Sequence, residues 1–346
     1  MSEEAKIEAG TLLVSSSPHA HAPGSVRSIM RDVIIALVPA LLASWWFFGA
    51  RALILECTCV ASCVLAEWLC RRAMGRPDTT ADLSAVVTGL LLAFNLPPGI
   101  SPLLAAVGGI FAIVVCKQFY GGLGYNPFNP ALAARAFLLL SFTGAMTTWS
   151  ASGWVSVADV LTTATPISPD AMTTATPLGF AKGGLKAGAA ALGMTPALGW
   201  RLFLGDVNGC IGETSALALL LGGAYLLARK VIPWQTPLAF IGTVAVGATI
   251  IHAASPATQM PASFHLLTGG LLLGAIFMAT DMVTSPTTGR GQLIFGFCCG
   301  VLTLVIRTVA SGDYPEGVSF SILIMNAFVP LINRFTRKIP FGESHA

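Results

Sequence analysis

Six charged side chains stand within apolar stretches of the chain, where an ion is costly unless it is paired or has a function. Arg135 is the deepest, so it should pair with a carboxylate, such as Asp281 or Glu56, or with an anionic oxygen of a bound group. Glu213 also fits a helix cap, and Asp281 fits a turn. Glu67 and Arg307 lie near the ends of their stretches, which favours side chains that reach out to water. The six are Glu56, Glu67, Arg135, Glu213, Asp281 and Arg307.

A second candidate for chemistry is the hydroxyl-rich segment Asp170–Leu178. Asp170, Thr173, Ala175 and Thr176 match the pattern Asp-x-x-Ser/Thr-x-Ala-Thr, in which a flavin transferase attaches FMN through its phosphate to the last threonine. Thr174 stands where glycine is common, a mild departure. The pattern predicts covalent FMN on Thr176, whereas composition alone also fits a Thr-, Pro- and Ala-rich linker.

The same pattern occurs once more, at Asp159–Thr165. Thr165 is therefore an alternative acceptor. We favour Thr176 because Pro177-Leu178 follow it, as is usual for this acceptor motif, whereas Pro166-Ile167 follow Thr165.

The composition shows which elements must position these residues. Hydrophobic residues make up 54% of the 346, charged residues only 10%, and the mean hydropathy is +0.76. Soluble domains carry roughly 25% charged residues, and disordered chains are poor in apolar ones. The sequence therefore predicts an all-α polytopic membrane protein. A net charge of +3, with no basic run interleaved with aromatic residues, argues against nucleic acid as a partner.

Ten apolar stretches are long enough for transmembrane helices, five on each side of one long polar loop. The third, fifth, eighth and tenth are short or are interrupted by Pro, Asn or Asp. The stretches are 33–50, 52–70, 83–96, 102–119 and 131–147, then 211–228, 231–253, 264–280, 292–309 and 317–332.

Lys and Arg residues predict the orientation of these spans. With the N-terminus inside, 13 of them fall on the inner side and five on the outer side. Both termini should therefore be cytoplasmic, with the long loop outside a bacterial or archaeal cell membrane. The predicted divisions are an N-terminal segment at 1–32, a first half at 33–147, a flavin-bearing loop at 148–210, a second half at 211–333 and a tail at 334–346.

Five spans on each side of the loop give the halves opposite orientations, which is typical of an inverted repeat. Two pairs of fragments support a repeat: Thr88–Leu92 resembles Thr268–Leu273, and Asn126–Pro130 resembles Asn326–Pro330. Broken helices around Asn95–Pro98 and Ala279–Asp281 should then meet near the midplane, where free backbone groups could bind an ion or cofactor.

The eight cysteines predict neither a disulfide framework nor a metal site, since seven lie in apolar stretches and their spacings fit no iron–sulfur motif. We interpret them as packed thiols.

The chain resembles the D subunits of Rnf complexes, which are ion-translocating ferredoxin:NAD oxidoreductases. These D subunits are related to the B subunit of the sodium-pumping NADH:quinone reductase. The length of the chain favours the Rnf branch over the quinone-reductase branch. The motifs that carry the resemblance are Ser16–His19, Ile29-Met30, Gly124–Ala131, the Thr176 motif, Ile211–Ala216, Phe277–Asp281 with Thr284–Pro286, Gly291-Gln292, Tyr314–Val318 and Met325-Asn326.

The resemblance implies a membrane subunit that passes electrons between ferredoxin and NAD through covalent FMN, coupled to movement of Na⁺ or H⁺. It also implies other subunits as partners, a flavin transferase during maturation and a second, noncovalent flavin such as riboflavin. Asn126, Asn129, Thr284, Ser285 and Arg135 are candidates for the flavin or ion region, with Glu56, Glu213 and Asp281 on the ion path.

Other functions fit parts of this pattern. A component like the B subunit of the quinone reductase is one, and a solute channel or transporter of inverted-repeat type is another, although a channel has no reason to carry the Thr176 motif. In some relatives the complex keeps a redox-sensing regulator reduced. No nicotinamide fingerprint, P-loop or ferredoxin-type cysteine run is present, so the chain needs partner subunits for the overall reaction.

Overall fold

The computed structural model describes residues 25–148, 196–205, 209–256, 259–308 and 317–337. Within these ranges all regular structure is helical, which agrees with the predicted all-α class. The motif Asp170–Thr176, with its residues Thr173, Thr174 and Ala175, lies outside the described residues, and so does Thr165. Covalent attachment at Thr176 therefore stays a prediction.

The helices form two groups around a short connecting helix. The first group is α1 (Val26–Phe48), α2 (Ala50–Ala73), α3 (Ser84–Phe94), α4 (Pro102–Ile113), α5 (Pro130–Ser141) and α6 (Thr143–Thr147). A 3₁₀ turn, Thr80–Asp82, precedes α3, and a π-helical segment, Val114–Gln118, continues α4. The connecting helix is α7 (Pro196–Leu204). The second group is α8 (Ala216–Ala228), α9 (Gln235–Ala254), α10 (Ala262–Leu267), α11 (Leu271–Leu273) with the π segment Gly274–Met278, α12 (Gly289–Thr308) and α13 (Val318–Thr336).

Four helices are long and apolar enough to cross a membrane: α2, α9, α12 and α13. Shorter apolar helices, namely α3, α4 with its π segment, α5 and α8, accompany them. The chain is thus a multi-pass membrane protein. One expected interruption is absent, because α13 runs unbroken over 19 residues with Pro330 inside it.

Side-chain caps define several helix starts. Asn129 Oδ1 accepts from the backbone N–H groups of Ala131 and Leu132 at the start of α5, and Pro130 occupies the first turn, where it loses no hydrogen bond. Ser101 caps α4 in the same way, also followed by a proline. These caps explain why α4 and α5 begin where the sequence predicts new spans.

Glycines allow the closest helix contacts, as is common between membrane helices. A Cβ at Gly89 of α3 would lie 2.7 Å from Val60 Cα of α2, and one at Gly296 of α12 would lie 2.7 Å from Thr236 O of α9. Between the two groups, a Cβ at Gly222 of α8 would overlap Ala36 O of α1. The halves therefore meet along α1 and α8.

We refer to the two ends of the helix array by their loops. The lower end carries loops 74–83, 119–129, 229–234 and 281–288, and the upper end carries the turn at Gly49.

Candidate functional site

The first helix break follows α3, where the sequence predicts it. Beyond Phe94 the chain leaves the helix, and the carbonyls of Phe94 and Leu96 accept from the backbone N–H groups of Gly212 (3.1 Å) and Ile211 (3.0 Å). These donors belong to the segment that leads into α8. Backbone from the second half therefore satisfies the break in the first half, as the membrane interior requires. A Cβ at Gly212 would overlap the ring of Phe94, so this approach needs glycine.

The second half contains a break that the sequence analysis did not predict. Between α10 and α11 the chain leaves the helix at Thr268–Gly270, and Gly269 has a φ of +67°. Arg307 of α12 donates to His265 O at 2.7 Å and to Thr268 O at 3.2 Å. The expectation that Arg307 reaches the membrane surface was wrong, because the residue is 4% exposed and its guanidinium donates to these carbonyls.

Arg135 lies where the two halves meet. Its Nη1 donates to Asn95 Oδ1 in the first half (3.1 Å) and to Ser319 Oγ of α13 in the second (2.6 Å), and Nη2 lies 3.6 Å from Cys210 Sγ. The side chain is 5% exposed. These acceptors are neutral, and Asp281 and Glu56, the carboxylates considered as its partners, accept from other groups.

The predicted second-half break at Ala279–Asp281 coincides with the end of the π segment at Met278. Asn95 Nδ2 lies 3.7 Å from Met278 Sδ, so the interrupted regions of the two halves come into contact. Asn129 also reaches this point, because its Nδ2 donates to Met278 O at 3.4 Å. The junction of the halves is therefore lined by amide and guanidinium groups.

The predicted ion-path carboxylates lie apart from one another. Glu56 is 2% exposed and accepts from Ser44 Oγ (2.7 Å) and Trp45 Nε1 (2.6 Å), both in the hairpin of α1 and α2. Glu213 does not cap α8, because Ser215 does. Instead Glu213 Oε1 accepts from Cys210 N at 3.3 Å, while the buried Oε2 faces Gly270, whose Cβ would lie 2.5 Å away.

Asp281 forms a turn at the lower end. It accepts from Val283 N (3.4 Å) and Thr284 Oγ1 (3.0 Å), and its carbonyl accepts from Ser285 N (3.0 Å). Thr284 and Ser285 are buried behind Asp281, so they support the turn and do not face open space. With its amide oriented to satisfy both groups, Asn326 donates to Thr284 O and accepts from Asn129 N.

A cleft opens between the halves near the lower end, bounded by α1, α3, α5, α8 and the second π segment. It has an empty volume of about 790 Å³, which includes space open to solvent. Most of the wall is apolar, including Val33, Leu91, Leu226 and Phe277. The polar lining residues are Ser84, Thr88, Lys117, Asn126, Asn129, Thr280 and Asp281.

The cleft unites three of the predicted site residues, Asn126, Asn129 and Asp281. Asn126 Nδ2 donates to Phe128 O at 3.1 Å, whereas its buried Oδ1 has no hydrogen-bond partner among the described residues. A buried acceptor without a donor is costly. The wall of the cleft therefore offers an acceptor to a ligand that carries an N–H or O–H group.

One pair of charged residues at the cleft was missed by the sequence analysis. Lys117 was not among the six charged residues singled out in the apolar stretches; it lies in the first π segment and is 1% exposed. Glu67, which we expected to reach the surface, is 0% exposed. Lys117 Nζ lies 2.9 Å from both oxygens of Glu67. The expectation for Glu67 was wrong because its counter-ion comes from 50 residues further along the chain.

The cysteines show packing contacts. Cys59 and Cys63 of α2 lie 3.9 Å and 3.6 Å from the carbonyls of Ala105 and Gly109 in α4. In the part of the chain that the structure describes, no three His, Cys, Asp or Glu side chains are arranged to hold a metal ion.

Comparison with known proteins identifies the family. The model of the NQR2, RnfD, RnfE family matches residues 13–342. The chain is 45% identical over 331 residues to the D subunit of the Na⁺-translocating ferredoxin:NAD⁺ oxidoreductase complex of Acetobacterium woodii, covering 96% of this chain and 95% of the relative. It is 44% identical over 346 residues to the D subunit of the proton-translocating ferredoxin:NAD⁺ oxidoreductase complex of Clostridium ljungdahlii, covering 98% of each. It is also 39% identical to the D subunit of the ion-translocating oxidoreductase complex of Halorhodospira halophila, covering 95% of each. The protein therefore belongs to the NQR2, RnfD, RnfE family, within which these relatives are D subunits.

Proposed function

We propose that this chain is the D subunit of an ion-translocating ferredoxin:NAD oxidoreductase complex, a non-autonomous enzyme subunit. The observation that carries the proposal is the similarity of 44–45% over nearly the full length to two such subunits. Electrons would pass through this subunit in the membrane, while other subunits of the hetero-oligomer bind ferredoxin and NAD.

The test uses inverted membrane vesicles from cells with and without the gene for this chain. We expect ferredoxin-dependent NAD reduction, together with uptake of ²²Na⁺ or acidification of the vesicle interior, only when the chain is present. Both ions are assayed because the two relatives are named for different ones. Unchanged NAD reduction without the chain would refute the proposal.

We propose that FMN is attached through its phosphate to Thr176 by a flavin transferase that recognises Asp170, Thr173, Thr174 and Ala175. The support is the match to the acceptor pattern. The chain, produced together with its transferase, should give a flavin-fluorescent band on a denaturing gel. A dark band in the presence of active transferase would refute covalent attachment.

The loop that carries Thr176 should lie outside the cytoplasm. We propose ten spans in two inverted five-helix repeats, with both termini cytoplasmic and the lower end facing the cytoplasm. Support comes from basic residues near the lower-end loops, such as Arg71, Arg72, Arg229 and Arg290. Fusions at residue 148 should give active alkaline phosphatase, and fusions at the C-terminus should give fluorescent green fluorescent protein. The reverse pattern would refute this orientation.

We propose that the cleft holds the second, noncovalent flavin, such as riboflavin. Its apolar walls suit a planar ring system, and Asn126 Oδ1 offers an acceptor to a ring N–H. Asn129 and Thr88 add polar groups to the wall. When bound, a flavin supplies reversible acceptance of electrons, and the residues of this chain orient it and shield it from water.

The cleft proposal has a direct test. In a Thr176→Ala chain any flavin extracted by acid must be noncovalent, so its amount measures occupancy of the cleft. Asn126→Leu should reduce this amount several-fold, whereas Asn126→Asp, which keeps the acceptor, should retain most of it. Equal flavin content in both variants would place the flavin elsewhere.

For the ion path we propose Asp281 and Glu213 ahead of Glu56. Asp281 opens to the cleft, and Glu213 has one buried oxygen without a hydrogen-bond partner in the described part of the chain. Both oxygens of Glu56 already accept from neutral donors. Asp281→Asn and Glu213→Gln should therefore lower ion uptake more than Glu56→Gln does in the vesicle assay.

A further inference from the structure

The buried residues Lys117 and Glu67 lie at different depths relative to the cleft. Lys117 and its hydrogen-bond acceptor Ser84 line the cleft, whereas Glu67 is not among the lining residues. The ammonium group donates to Ser84 Oγ at 2.6 Å and to both oxygens of Glu67 at 2.9 Å. Of the two ionic residues, Lys117 therefore belongs to the wall of the cleft, and Glu67 lies behind that wall.

The surroundings hold Glu67 in this position. Gln118 Nε2 and Thr79 Oγ1 each donate to Glu67 Oε1 at 2.9 Å. Consecutive residues of an α-helix point about 100° apart, but here Lys117 and Gln118 both reach one carboxylate. The π turn, in which Phe119 N donates to Val114 O at 2.9 Å, makes this possible. Such turns are frequent at functional sites.

A cation buried without a counter-charge is costly, which explains why Lys117 needs Glu67. Its third donor goes to the neutral hydroxyl of Ser84, which in turn donates to Asp82 Oδ1. A ligand oxygen could replace Ser84 as third acceptor without disturbing the ion pair. The other charged residue that lines the cleft is Asp281.

We infer that Lys117, held by Glu67, sets the redox equilibrium of the flavin in the cleft by placing positive charge beside its ring. The inference rests on the proposed noncovalent flavin. A ligand that accepts electrons gains negative charge, and a nearby cation stabilises that form. Lys117 is thus a positioning and electrostatic residue, and Glu67 adjusts the strength of its field.

The experiment is a charge cycle in the purified full-length chain. A Thr176→Ala background removes the covalent flavin, so that the noncovalent flavin is the one titrated spectroelectrochemically. Lys117→Met leaves the negative charge of Glu67 and should lower the midpoint potential. Glu67→Gln leaves the positive charge of Lys117 and should raise it. The double variant removes both charges. Its midpoint potential should therefore differ from that of the parent by only a small fraction of either single shift.

We expect each single substitution to change the equilibrium ratio of oxidised to reduced flavin at least tenfold, which for a two-electron couple is about 30 mV. Lys117→Arg keeps the charge and should stay close to the parent. If Lys117→Met fails to accumulate because Glu67 is left buried and unpaired, the isosteric Glu67→Gln variant still decides the sign.

The outcomes distinguish a failure of this inference from a failure of the proposal that the cleft binds a noncovalent flavin. Flavin that is retained with an unchanged midpoint potential in Glu67→Gln and Lys117→Met would show that the ion pair is only structural and would overturn the inference alone. Absence of flavin from the Thr176→Ala parent would overturn the cleft assignment and this inference with it. Potential shifts of the same sign in both single variants would also refute an electrostatic origin.

Discussion

Each half of the chain contains an interrupted helix. The two halves differ in which groups donate hydrogen bonds to the backbone carbonyls at the break. After α3 the carbonyls of Phe94 and Leu96 accept from backbone N–H groups that belong to the other half. Between α10 and α11 the carbonyls of His265 and Thr268 accept from one side chain, Arg307, in the same half. The first break therefore depends on how the halves fit together, and the second depends on one guanidinium.

The largest effect should follow from removing that guanidinium. Arg307→Met leaves two buried carbonyls without this donor, and each unsatisfied group costs about 1–3 kcal/mol. We expect a loss of about 2–5 kcal/mol. The thermal unfolding midpoint of the detergent-solubilised chain and its yield in membranes would measure the loss.

Arg307→Lys is the matched control, because it keeps a charged donor and should be damaged less. Equal stability of Arg307→Met and the parent would mean that the second break is satisfied without this side chain.

A smaller effect is expected at the first break, where the donors are backbone groups. Gly212→Ala places a methyl group against the ring of Phe94, and overpacking of this kind costs about 1–3 kcal/mol. Gly209→Ala in the same segment is the control, since its Cβ would meet Thr214 Cγ2 at 3.5 Å, an ordinary van der Waals distance. Thermal unfolding of both variants would measure the difference. Combining Phe94→Leu with Gly212→Ala should recover part of the loss, and failure to do so would contradict a steric cause.

Arg135→Leu should have less effect on folding than Arg307→Met, because Arg135 donates to the side chains of Asn95 and Ser319, whereas Arg307 donates to backbone carbonyls at a helix break. It should spare covalent FMN at Thr176, since attachment needs only the loop. Ferredoxin-dependent NAD reduction and ion uptake in vesicles should fall, because the contact between the halves is lost. Arg135→Lys lacks the second nitrogen, Nη2, which lies 3.6 Å from Cys210 Sγ, and should restore the rates only in part. Normal rates in Arg135→Leu would show that Arg135 is merely structural.

The smallest effect on either break is expected from Thr176→Ala, which should leave the unfolding midpoint unchanged. Intact-mass measurement should nevertheless show loss of the FMN increment in Thr176→Ala and its retention in Thr165→Ala. An increment that survives in Thr176→Ala but disappears in Thr165→Ala would move the acceptor to Thr165.

Part of this arrangement could be predicted from the sequence. The break after α3 is signalled by Asn95-Leu-Pro-Pro, because prolines end a helix locally. The burial of Arg135 follows from its place inside the apolar stretch 131–147. The break at Thr268–Gly270 was missed, because glycine pairs are common in membrane helices and Arg307, which stabilises this break, lies about 40 residues away in the sequence.

The burial and pairing of Lys117 and Glu67 could not be predicted from the sequence. Each lies near the end of an apolar stretch, a position that favours contact with water. Their burial depends on a π turn and on the packing of the first π segment against α2, and neither has a sequence signal of its own.

Composition and hydropathy by themselves determined that the chain is helical and crosses a membrane, because so few charges cannot cover a soluble surface. Local motifs determined the predicted FMN acceptor, since a transferase reads a short exposed segment. Only the tertiary structure decided which charges pair and which residues share the cleft. Arg307 meets carbonyls of another helix, Lys117 meets Glu67, and Asn126 and Asp281 face one space between the halves. These partners lie far apart in the sequence, and a buried charge takes whichever partner packing brings within hydrogen-bond distance.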